Sequence, residues 1–83
     1  MYPEDKMILK LILKDINAIN FVYKKYGPAL YGIIYNHSAE QADIIFIKSF
    51  KRLLNSVKDY DSSKCRLFTW MYQIVMDEIR QAQ

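Results

Sequence analysis

Eighty-three residues with a formal charge of +3 make one domain spanning residues 1–83, close to the smallest that folds around a core without a staple. One cysteine excludes an internal disulfide, one histidine leaves no zinc ligand set, and two glycines and two prolines are too few for the turns of an all-β chain. The composition fits an all-α chain, a small bundle of four helices in a reducing cytoplasm, with no cofactor, no metal and a mild charge that permits an anionic partner.

The first helix is expected to begin after Pro3, with Glu4 and Asp5 in the first turn where the helix dipole favours carboxylates, and to end near Lys14. Lys6, Lys10 and Lys14 recur every four residues along this apolar segment. That stripe suits either a helix closing a small bundle or one lying on an anionic membrane surface. The lysines interrupt the apolar run and no small-residue cleavage site follows, so it is no secretion signal, and no run reaches the ~18 apolar residues of an integral membrane segment.

Asp15 is placed to cap a second helix, its carboxylate accepting from the exposed amides of the next turn. Ile19, Val22, Tyr23, Tyr26, Leu30, Ile33, Ile34 and His37 then recur three or four apart, which predicts one apolar face. Gly27-Pro28 interrupts that face without changing its phase. Pro28 offers no amide and crowds the carbonyl four residues back, so a kink at Gly27-Pro28 is expected instead of a break. His37 falls at the helix C-terminus, where its charge suits the dipole.

Ser38-Ala-Glu-Gln41 matches a capping box ahead of a third helix, whose inner stripe is Ala42, Ile45, Phe46, Ser49, Phe50, Leu53, Leu54 and Val57. Ile44 and Ile47 fall off that stripe and share a second face with Lys48 and Lys51. They form either a contact surface or a wider core covered by the first helix. Lys58 to Arg66 is a polar loop with turn-forming Asp and Ser, and the last helix runs from about Leu67 to Gln81 with Phe68, Met71, Val75 and Ile79 inward and Tyr72 and Ile74 widening the stripe. No strong N-cap precedes it; Ser63 is nearest. No Gly-rich phosphate loop and no nucleophile with a base at catalytic spacing is present, and Glu40 and Asp43 compensate a helix dipole, so the chain does not read as an enzyme.

The most informative stretch is Tyr60 to Arg80. Lys64 and Arg66 can reach phosphates while Phe68, Trp70 and Tyr72 offer ring faces, a combination suited to single-stranded nucleic acid. The alternative is that these rings are core packing. Asp15, Ala18, Tyr23, Tyr26, Pro28 and Leu30-Tyr31, followed by Ala42 to Phe50, by Tyr60-Asp61 and by Arg66-Leu-Phe-Thr-Trp-Met71, resemble in order and spacing region 2 of bacterial RNA polymerase sigma factors of the extracytoplasmic-function type. The likeness covers roughly residues 15–80.

The resemblance implies a helical transcription initiation module that binds RNA polymerase core and captures the unwound strand of the −10 promoter element. Tyr60-Asp61 would match the family's aromatic-Asp loop, and the loop from Asp61 through Ser62, Ser63 and Lys64 to Arg66 would sit where a flipped promoter base is held, with Lys64 and Arg66 near the phosphates. Phe68 and Trp70 would stand at the strand-separating positions. Ile44, Ile47, Lys48 and Lys51 would face the polymerase or another partner. Three departures accompany it. Ile44, Ile47 and Lys48 stand where the family usually has Asp, Gln and Glu; about one turn of the last helix is missing between Ile74 and Asp77-Glu-Ile-Arg80; and no region 4 is present. Cys65 also replaces a common glycine. A second reading is a protein-interaction module on the same scaffold, a homodimer or a decoy for an anti-sigma factor.

Overall fold

A computed structural model describes residues 4–83; Pro3, the expected boundary of the first helix, lies outside them. The described residues form four helices, α1 (Glu4–Ile12), α2 (Ile16–His37), α3 (Ala42–Ser56) and α4 (Leu67–Ala82), with short 3₁₀ turns at Ala39–Gln41 and Val57–Asp59. They make the small all-α bundle that the composition implies. None of the helices is long and apolar enough to cross a membrane.

α1 stops two residues before Lys14, so the every-fourth lysine stripe does not persist along one helix. Lys14 instead takes the left-handed conformation, φ 61°, which costs a residue with a Cβ about 1–2 kcal/mol. The amides of Lys14 and Asp15 return to the carbonyls of Leu11 and Lys10 at 3.0 and 2.9 Å, the double bond of a Schellman stop. A lysine here has a use that glycine lacks. Its ammonium donates to the Leu54 carbonyl in the last turn of α3. Asp15 then opens α2 as expected, its Oδ1 accepting from the amides of Asn17 and Ala18 at 2.9 and 3.1 Å.

α2 runs through Pro28 as one continuous helix. Pro28 and Lys24 are both exposed, so the carbonyl left without an amide partner faces the solvent side. The buried positions of α2 are Ala18, Val22, Gly27, Leu30 and Ile34, whereas Tyr23 is exposed and flanks the core. The capping box at Ser38 does not form. Ser38 makes no side-chain cap bond, a 3₁₀ turn intervenes, and the α-helix proper starts at Ala42.

The core gathers Met7 and Leu11 of α1 with these residues, with Ala42, Ile45 and Leu53 of α3, and with Leu67, Met71, Ile74, Val75 and Ile79 of α4. α1 therefore closes the bundle, packing on α2, on α3 and on the Val57–Asp59 turn. Ser49 is buried with its hydroxyl lacking a hydrogen-bond partner, on a helix that packs closely against α4. Across that contact Arg52 donates to both Asp77 and Glu78, the latter at 2.9 Å. Asp77 is further approached by Arg80 at 3.6 Å and accepts from Gln81 at 2.7 Å.

Replacing Asp15 with Ala should lower stability by about 1 kcal/mol, read as a shift in the urea midpoint with unchanged slope. The Arg52 guanidinium holds the Asp77 carboxyl below its ordinary range. A depressed carboxylate contributes stability above its unfolded pKa, and that contribution fades as pH falls through the folded value. Asp77→Asn should therefore be less stable than the unaltered chain at pH 7, and the gap between their urea midpoints should close below about pH 4.

Candidate nucleic-acid interface

The loop between α3 and α4 is held by three local interactions. Asp61 Oδ1 accepts from the amide and the hydroxyl of Ser63 at 2.9 and 2.7 Å, an Asx turn. The Lys64 amide returns to the Asp61 carbonyl at 3.1 Å. The Tyr60 hydroxyl spans the loop and donates to the Cys65 carbonyl at 2.7 Å. Ser63 is thus engaged with Asp61 and does not cap α4, whose N-terminal neighbour Arg66 makes no side-chain cap bond.

Asp61, Ser62, Ser63, Lys64 and Arg66 are all exposed on this fixed loop. The Tyr60 and Trp70 rings lie 5.2 Å apart at 47°, both half-buried and packed against the core. Between loop and ring lies an open pocket of about 300 Å³ lined by Asp59, Asp61, Lys64, Cys65, Trp70 and Gln73. Hydrogen bonds from the Ser63 hydroxyl and amide hold the Asp61 carboxyl below its ordinary range, whereas burial raises the Tyr60 phenol. Two carboxylates and one ammonium line this pocket. It suits the donor edge and ring face of a base better than a phosphate.

Phe68 does not join Trp70. Residues two apart on an α-helix point about 200° around from each other, so the two rings leave opposite flanks of α4. Phe68 and Tyr72 are exposed, not inward as the stripe suggested; Leu67 takes an inner place beside the expected Met71, Ile74, Val75 and Ile79. Phe68 lies 6.0 Å from the Tyr26 ring of α2, and Lys25 stands 5.3 Å over that ring and 5.6 Å over Phe21. This second aromatic and basic strip was not singled out from the sequence. Its signal was the Lys24-Lys25-Tyr26 run, but only the packing of α2 beside α4 connects it to Phe68.

Ile44 and Ile47 are 59% and 54% exposed, and Lys48 and Lys51 stand beside them. α1 does not cover them, so they are not part of a wider core. Ile44 and Lys48 border a pocket with Glu78 and Gln81, toward the C-terminal end of α4. Glu78 lies about 12 Å along the helix from Trp70, so the pocket bordered by Ile44 and Lys48 and the pocket walled by Trp70 lie toward opposite ends of α4.

The chain matches no known family, no curated protein and no solved structure.

Tyr60→Phe should release the Cys65 carbonyl while keeping the ring on Trp70. The loss of one neutral hydrogen bond, about 1 kcal/mol, should speed amide exchange at Ser63 to Arg66 by roughly fivefold, with little change in α2.

Proposed function

We propose that this chain is a sigma region 2-like transcription initiation module of the cytoplasm, which docks on RNA polymerase core and holds the unwound −10 promoter strand in the Asp61–Trp70 loop. The observation that supports this reading is the loop itself: a fixed backbone displays Lys64 and Arg66 beside a pocket walled by Trp70. Stacking on one ring is worth about 1–3 kcal/mol per base, and extruding a base costs a few. Those magnitudes nearly cancel, and two cations add little, so DNA binding by this chain alone is weak and depends on the polymerase.

The exposure of Ile44 and Ile47, with Lys48 where the family carries an acid, favours a second reading in which α3 contacts a different protein. A reversed charge at a polar interface costs several kcal/mol in like-charge contact.

Trp70 is the sole tryptophan, so its fluorescence reports the loop directly. A −10-type single-stranded oligonucleotide should quench it, with affinity falling as salt rises by a log–log slope of about −0.7 per neutralised phosphate. Lys64→Gln with Arg66→Gln should flatten that slope by about 1.4, and Trp70→Ala, followed by anisotropy, should weaken binding by about 1–3 kcal/mol. Co-purification with core polymerase tests the other half. No binding to either at low salt sinks the proposal and leaves the protein-interaction reading.

A further inference from the structure

On the α2–α3 face two open pockets, of about 380 and 240 Å³, share Tyr23 and Phe46 and so form one continuous groove. Its walls are braced. Phe46 and Phe50 stack at 5.9 Å and 25°, and Tyr23 meets both edge-on at 5.8 and 5.5 Å. Tyr31 packs edge-on to Phe46 at 5.7 Å, and its hydroxyl is fixed to Asp43 at 2.6 Å. Tyr23 and Ile47 stay half exposed at the rim, so an apolar surface built this firmly lies open to solvent.

Charge distinguishes its occupants. Lys24 lines one pocket and Lys51 the other, and among the described residues these are the only charged side chains lining either. The Asp43 carboxylate is engaged with the Tyr31 hydroxyl. We propose that the groove docks an acidic amphipathic helix of a partner protein, whose apolar anchors, one or two turns apart, enter the two pockets while its flanking carboxylates meet Lys24 and Lys51. A second copy of this chain is the poorer fit, because it would bring a second pair of lysines to the same rim. The groove shares no lining residue with the Trp70 pocket, but Ile47 and Lys51 belong both to it and to the face expected to meet the polymerase or another partner, so this inference rests on the second reading above and names its partner class.

The test is an NMR titration of the isotopically labelled full chain with two synthetic helical peptides sharing one apolar pattern, one flanked by Glu and the other by Lys. The Glu-flanked peptide should bind saturably and shift the amides of Tyr23, Lys24 and Phe46 to Lys51. Lys24→Glu with Lys51→Glu, two exposed changes checked by circular dichroism, should weaken it at least about tenfold and favour the Lys-flanked peptide instead. Equal binding of both peptides overturns the proposal. So does the absence of saturable binding up to millimolar peptide, or shifts confined to other surfaces. Sedimentation at the same concentrations reports the remaining occupant: a dimer dissolved by Ile47→Asp would give the groove to a second copy and overturn the acidic partner.

Discussion

The bundle depends on the inner strip of α3, where Ala42, Ile45, Ser49 and Leu53 alternate small and large along one face. α1, α2 and α4 all pack on this one helix. Only small residues at two of those positions let neighbouring backbones close on it, and interiors are dense enough that a larger side chain would displace one of them. Ser49 shows the priority of shape over polarity here, since its hydroxyl is buried without a partner, a condition that ordinarily costs about 1–3 kcal/mol. A helix serving several neighbours with one face leaves its opposite crest bare. Ile44, Ile47, Lys48 and Lys51 are that crest, and no helix among the described residues covers them.

Much of this was legible from periodicity. The inner stripe of α3 lies as the spacing predicts, with Ala42, Ile45, Ser49, Leu53 and Val57 buried and Phe46, Phe50 and Leu54 at its margin. Asp15 caps α2 as its chemistry requires. The misplacements share a cause. Tyr23, Phe68 and Tyr72 all sit at the edge of an apolar arc, where a helical period of 3.6 leaves the assignment to whichever neighbour packs nearby. Tyr23 faces Phe46 and Phe50, and Phe68 faces Tyr26, across interhelical seams that no single-helix pattern contains. Ser38 failed as a cap for a different reason. The chain turns into α3 through a 3₁₀ segment, which moves the first α-helical residue to Ala42, beyond the reach of that hydroxyl.

The polar loop was legible in composition and not in wiring. Clustered Asp and Ser announce a turn, but Tyr60 reaching the Cys65 carbonyl is a contact between a half-buried ring and a backbone five residues on. That bond divides the aromatic set. Tyr60 and Trp70 are committed to shaping the pocket, with part of each ring lent to the core, whereas Phe68 stands outside with Tyr26 and Lys25. Of the rings for which core packing was the alternative, Trp70 packs partly against the core, whereas Phe68 and Tyr72 are exposed.

The same logic explains the closing Asp77-Glu-Ile-Arg80. Arg52 forks between Asp77 and Glu78, and Arg80 and Gln81 converge on Asp77 from within α4. All of these groups are partly exposed, so each pair is individually weak, but they act together on one carboxylate and tie α4 to α3. Such a cluster needs its carboxylates in phase with Arg52 and needs nothing from the residues between Ile74 and Asp77. α4 is therefore tied to α3 toward its C-terminal end and carries the Tyr60–Trp70 contact toward its other end.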